Sequence, residues 1–212
     1  MCRSITNGHL CDNRNRLREF LLRVPTLRFG MEIIMLSKVL SKNTCAECRF
    51  CCSFRRCSLW ETPLFAIETV DKFDRSDISG EFSGCEKNIN FHRAEKDGVQ
   101  YGQMDLMYKY CTDDESEEAA CEFLDASRGC VLSDEDKPFD CKIWPLRIMD
   151  KDGKLVIALT PTCPAINKVD LKEIEEFVKS GLGDTIYEYA KEHPYIIKKY
   201  RENFPVLQEF RQ

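Results

Sequence analysis

The chain has 212 residues, 31 Lys and Arg against 36 Asp and Glu, and a formal charge of −5. The acidic balance excludes a general phosphate-binding footprint, so nucleic acid is not expected as a partner, and 43% hydrophobic residues exclude wholesale disorder. No run of about 18 apolar residues occurs, so no membrane-spanning helix and no membrane partner are predicted; the abnormal count is cysteine, at 13.

Residues 1–30 carry six arginines, no lysine, and only Asp12 and Glu19 as acids, a charge of +4 that leaves −9 for the rest. Two readings stand: a basic arm for an acidic partner, or an extension ahead of a start at Met31 or Met35. The N-terminal stretch has no apolar h-region, so it does not read as a secretory signal. The expected compartment is then the cytoplasm, where structural disulfides are rare and clustered thiols are metal ligands or redox groups. Three regions are expected: the basic extension 1–30, a cysteine-cluster metal-binding domain 31–168, and C-terminal helices 169–212 packed on it.

The sharpest signal follows: Cys45-Ala-Glu-Cys48-Arg-Phe-Cys51-Cys52. Two successive Cys-x-x-Cys spacings let three thiolates converge on one ion or cluster from a single loop. Thiolates are soft ligands, suited to zinc or iron–sulfur. Arg49, Arg55 and Arg56 nearby would offset the charge of such a site, or else form a solvated loop.

Thr62 then reads as an N-cap with Pro63 in the first helical position, and Leu64, Ala66, Ile67 and Val70 supply a helical apolar face. Ile89 to Arg93 and Val99 to Tyr101 alternate about Asp97-Gly98, a hairpin signal. The acids Asp113, Asp114, Glu115, Glu117 and Glu118 crowd the first turns of a predicted helix, where the macrodipole favours them. A second hairpin is predicted from Ile143 to Met149 and from Lys154 to Thr160, with Leu155 to Leu159 buried on both faces. The C-terminal third reads as helical. Asp170 caps a segment with Leu171, Ile174, Phe177 and Val178 on one face, and Gly181 and Gly183 end it. Asp184 starts another with Ile186, Tyr187 and Ala190, limited by Pro194. Tyr195, Ile196, Tyr200 and Phe204 read as core.

The other clustered cysteines are Cys121-Glu-Phe-Leu, Gly129-Cys130, Pro138-Phe-Asp-Cys141 through Trp144-Pro145, and Cys163-Pro164. A proline-followed cysteine is also found in ferredoxin-type clusters. Together these elements resemble the Cys-x-x-Cys-x-x-Cys-Cys family of zinc- or iron-chelating domains. Cys45, Cys48, Cys51 and Cys52 match its first element, and Cys121, Phe123, Leu124, Gly129 and Cys130 its second. Pro138, Cys141 and Pro145 match the third, and Cys163 the last cysteine. The likeness spans roughly residues 45–164. Departures are Arg49-Phe50 where glycine is frequent, Lys137 where arginine is usual, and Val131-Leu132 in place of Ile-Tyr. Some members are named flagellin lysine N-methylases, so the resemblance implies protein lysine methylation and a protein substrate.

Cys57, Cys85 and Cys111 lie outside the shared pattern and read as small buried hydrophobes, or else as substitute ligands. Cys2 and Cys11 receive no role. His9, His92 and His193 form no metal-binding motif, and no phosphate loop, dinucleotide fingerprint or nucleophile elbow is present. The expectation is therefore an α+β domain organised by a cysteine-rich metal centre built from Cys45, Cys48, Cys51, Cys52, Cys121, Cys130, Cys141 and Cys163. Its cofactor is an iron–sulfur cluster of the 4Fe-4S type, with Cys45, Cys48, Cys51 and Cys163 as corners, or zinc. Two function classes follow: an iron–sulfur protein in redox chemistry or protein modification, or a zinc-stapled interaction module without catalysis.

Overall fold

Pairing between distant segments, more than local periodicity, decides which parts of this chain become strands. A computed structural model describes residues 48–74, 89–109 and 113–211. The fold is α+β, with several small sheets and short helices. The basic extension 1–30 and Cys2, Cys11, Cys45, Cys85, Cys111 and His9 lie outside the described residues. Among the described residues no helix is long and apolar enough to cross a membrane.

The chain enters through a short 3-10 turn at Phe50–Cys52 and strand β1 (Ser53–Arg55). A further 3-10 stretch, Arg56–Glu61, leads into β2 (Leu64–Ala66) and helix α1 (Ile67–Phe73). The helix predicted from Thr62 therefore starts later. Leu64 to Ala66 pair antiparallel with Gln103 to Tyr101 instead. Phe65 is buried at 1% exposure and meets Phe91 edge-on at 5.2 Å. Burial of consecutive Leu64 and Phe65 suits a strand covered on both faces and overrides the helical spacing. Periodicity regains control at Ile67.

The first predicted hairpin forms as β3 (Phe91–Lys96) and β4 (Val99–Met104). Asp97 and Gly98 both take positive φ, 52° and 79°, the two-residue turn whose twist matches the strands. Gly102 of β4 has a separate purpose. A Cβ there would meet Val70 Cγ2 at 2.5 Å, so only glycine lets α1 lie this close across the sheet. Phe54, Phe65, Val70, Ile89, Phe91, Met104 and Phe123 form the core beneath it, with Cys121 packed at its margin.

The acidic run is not a helix. Glu118–Ala120 is strand β5, antiparallel to β1 with Arg55 opposite Glu118. Glu118 takes Arg55 at 2.8 Å, and the well-shielded Glu117 takes Arg56 at 2.9 Å. Cross-strand arginine partners decided this segment, not the helix dipole. Two-residue strands β6 (Leu124–Asp125) and β7 (Gly129–Cys130) follow, then the single-turn helix α2 (Phe139–Ile143).

The second hairpin is β8 (Leu146–Lys151) and β9 (Lys154–Leu159), turning at Asp152 and Gly153. It begins three residues later than predicted because Ile143 completes α2. Val156 to Leu159 are buried as expected. Asp170 caps α3 (Leu171–Phe177), its carboxylate accepting from the backbone N–H of Lys172 at 2.8 Å. Ile174 and Val178 are buried, whereas Leu171 is exposed. Gly181 and Gly183 do not end the helical run. Gly181, at φ 126°, bends it through a π turn directly into α4 (Gly183–Glu192). The C-terminal third is also less helical than predicted. After a 3-10 turn at Pro194–Ile196, β10 (Lys198–Lys199) adds parallel to β8 and β11 (Val206–Glu209) antiparallel to β9. The sheet order is β10-β8-β9-β11. Of the aromatics read as core, Tyr195 is buried, while Tyr200 and Phe204 half-cover the Met149, Val156 and Ala158 cluster.

Candidate metal centre

Three segments carry the cysteines toward one another. The first is the loop at Cys51 and Cys52. Arg49 takes a left-handed φ of 51°, which closes a turn in which Cys52 N–H donates to the Arg49 carbonyl at 3.0 Å. The second begins where β5 ends. Cys121 N–H donates to the Cys52 carbonyl at 2.8 Å, so the β1–β5 ladder runs straight into the cysteines. Beyond it, Leu124 pairs with Cys130 and Asp125 with Gly129. Asp125 closes that small hairpin by accepting from Ser127 N–H, Ser127 Oγ and Arg128 N–H. These bonds hold its carboxyl well below the usual range. Arg49 Nη1 donates to the Ala126 carbonyl and ties the first loop to this hairpin. The third segment is α2, which carries Cys141.

The thiols report this convergence through their mutual effect on ionisation. Hydrogen bonding to Cys52, then burial, drive the Cys51 thiol far above its ordinary value, against a small opposing pull from Lys137. Burial chiefly pushes Cys121 up to about 11, with Cys130, Glu122 and Cys51 adding to it. Burial likewise raises Cys141, reinforced by Asp140, Cys121 and Cys51 and opposed by Arg147. Cys51, Cys52, Cys121, Cys130 and Cys141 thus occupy one neighbourhood.

All eight described cysteines are free thiols. Cys163 stands apart, in the turn after β9, buried, its carbonyl accepting from Asn167 N–H at 3.3 Å. Cys48 is exposed. Cys57 is exposed, which corrects its reading as a buried hydrophobe; it sits in the open 3-10 stretch after β1. Among the described residues no three His, Cys, Asp or Glu side chains sit in metal-ligand arrangement. The donor set still suits a thiophilic cation: soft, not in disulfides, on three segments, with Lys137 and Arg147 nearby to offset negative charge.

Sequence reasoning missed the supports of this region. Asp140 and Arg147 form a buried ion pair at 2.9 Å, 2% and 3% exposed. Arg147 also donates to the Asp140 and Glu61 carbonyls and lies 4.7 Å over the Trp144 ring. Asp140 accepts a second bond from Leu64 N–H at 3.3 Å. The pair thereby pins α2, and with it Cys141, to β2 and β8. The available signal was an arginine inside the apolar run Leu146 to Met149. Also unforeseen is a ring stack from Phe139 through Tyr189, His193 and Tyr195 to Tyr101, with Phe139 and Tyr189 only 3.8 Å apart. Compared with protein-family models, with curated proteins and with solved structures, the chain gives no match.

Proposed function

We propose that this chain is a metal-binding cysteine-cluster protein whose centre is a thiolate-ligated iron–sulfur cluster. The observation that carries the reading is the shared neighbourhood of Cys51, Cys52, Cys121, Cys130 and Cys141, drawn from three segments and free of disulfides. Cys45 and Cys48 belong to the same loop by sequence. Cys163, in a separate turn, has the weaker claim to be a ligand. Bound there, an iron–sulfur group would supply one-electron redox chemistry. The chain's own part is to place the thiols, surrender their protons and balance charge. Thiols raised by burial and by one another hold their protons until a cation takes their place, so loading releases protons and strengthens as pH rises. The family resemblance extends this reading to modification of a protein lysine.

A second reading is a structural zinc staple. It is favoured by the ladders around the cysteines, which are only two or three residues long. Anaerobic purification with iron, zinc and acid-labile sulfide analysis decides between them. Stoichiometric iron and sulfide support the cluster. Stoichiometric zinc without sulfide, even after reconstitution, moves the centre to the staple, and a protein that binds neither overturns both. Cys51→Ser and Cys141→Ser should lose metal, whereas the exposed Cys57→Ser should keep it.

A further inference from the structure

The ring stack brings phenols and an imidazole from separate elements into contact. Tyr101 of β4 lies face to face with Tyr195 of the Pro194–Ile196 turn, ring centroids 5.0 Å and planes 19° apart. Tyr189 of α4 lies 4.1 Å from the ring of His193, whose N–H closes that helix on the Tyr189 carbonyl at 2.9 Å. The two pairs meet at one polar contact. The Tyr195 hydroxyl reaches His193 Nδ1 at 3.4 Å, with the rings edge-on at 5.6 Å. Tyr195 is only 3% exposed, whereas Tyr101 is half-buried, so a molecule in solution reaches the inner phenol by way of the outer one. Its imidazole partner sets Tyr195 apart from Tyr108 and Tyr200. Those two donate to backbone carbonyls, of Phe54 at 3.4 Å and of Phe204 at 2.8 Å. A carbonyl accepts a hydrogen bond but does not keep a proton in neutral water, whereas an imidazole does both.

We propose that Tyr195 is a redox-active tyrosine, oxidised through Tyr101 by a diffusing one-electron oxidant while its phenolic proton passes to His193 Nδ1. An oxidised phenol is a strong acid, so its electron leaves readily only where a base is in place for the proton. One electron leaves the Tyr195 π system, crosses the stacked Tyr101 ring and reduces the oxidant. The Tyr195 O–H bond breaks and an Nδ1–H bond forms, which leaves a neutral phenoxyl radical beside an imidazolium. Re-reduction reverses both transfers. The base must be neutral at rest, and burial keeps His193 so by holding it below the ordinary histidine value against the pull of Glu192 and Glu68. Nδ1 accepts when the ring proton sits on Nε2. Burial of the Tyr195 ring also shields the radical from coupling with a phenol of a second molecule. The far end of the stack, Phe139 against Tyr189, lies on α2. None of the cysteines takes part in the step, so the inference stands independently of the metal centre.

The test uses the full chain with flash-generated ruthenium(III) tris-bipyridine as the oxidant, read by electron paramagnetic resonance and by transient absorbance of the phenoxyl radical. A tyrosyl signal should form. Tyr195→Phe should remove most of it, and Tyr200→Phe should keep it. His193→Phe leaves a ring in the stack but no base, and should slow radical formation about a hundredfold, the low end of what a positioned base contributes. Tyr101→Phe should slow it as well, by removing the oxidisable ring on the way in. The unsubstituted chain should form the radical more slowly in heavy water than in light water, because the O–H bond breaks in the step. Absence of a tyrosyl signal, an undiminished signal in Tyr195→Phe, an unchanged rate in His193→Phe, or equal rates in the two waters overturns the proposal.

Discussion

Arg147 has its charge met by Asp140, its remaining donors directed at two backbone carbonyls, and its guanidinium resting on Trp144. Its Nε alone is buried without an acceptor. Removing one partner of such a pair strands the other charge in a medium that cannot solvate it, at a cost of about 3–5 kcal/mol. Arg147→Met should therefore lower stability by about that amount in urea unfolding, and a loss below about 1 kcal/mol would remove the pair from the structural account. His193 works in the opposite sense. Packed between Tyr189 and Tyr195, it is depressed below the ordinary histidine value by burial, against the pull of Glu192 and Glu68. In the unfolded chain His193 takes up its proton below about pH 6.5, while in the fold it resists. The unfolded state then binds more protons, so stability present above that pH is lost as pH falls through the folded value. His193→Phe should flatten the stability profile between about pH 6.5 and pH 5, and an unaltered slope in that variant would assign the acid sensitivity elsewhere.

At the scale of elements, the hairpin turns and the Asp170 cap were legible, while pairings, the Thr62 cap and the Gly181–Gly183 stop were not. Asp97-Gly98 and Asp152-Gly153 announce their hairpins because the turn chemistry lies in the turn itself. Asp170 announces α3 for the same reason. β2 and β5 carry no such local mark. Ser53 and Glu118, which bond across β1 and β5, are 65 residues apart, so a run of acids beside two alanines looked like a helix start. The same distance hides the candidate centre's geometry. The spacing of Cys45, Cys48, Cys51 and Cys52 could be read, but the approach of Cys51 and Cys52 to Cys121 depends on that ladder. Gly102 shows how such a contact enters the sequence as one unremarkable residue. Its missing Cβ is the space Val70 occupies. Gly102→Ala should cost about 1–3 kcal/mol by overpacking, seen as a lower thermal midpoint, and Val70→Ala in the same protein should recover part of it. An additive loss in the double variant would show that the two residues do not share the space.

The molecule as a whole divides its sources of order unevenly. The β10-β8-β9-β11 sheet has its own buried cluster of Met149, Val156 and Ala158, covered by Trp60, Tyr200, Phe204 and Val206. The cysteine segments reach the Phe65–Phe91 core through Phe54 and Phe123, and are otherwise held by ladders of two and three residues, an arginine on a carbonyl and half-buried ion pairs. Ion pairs of that kind contribute about 1 kcal/mol or less each, whereas a thiolate-bound structural metal contributes on the order of 10 kcal/mol. Occupancy of the proposed centre should therefore govern the cysteine segments far more than the sheet. Stripping metal with a chelator under reducing, anaerobic conditions should collapse hydrogen-exchange protection at residues 51–57 and 118–131. Amides of β8 and β9 should keep most of theirs, because their partners and core do not pass through the cysteines. Protection lost uniformly along the chain would make the metal a global keystone. Protection unchanged at residues 51–57 would mean that the short ladders hold these segments unaided, and the thiols would then need another explanation for their convergence.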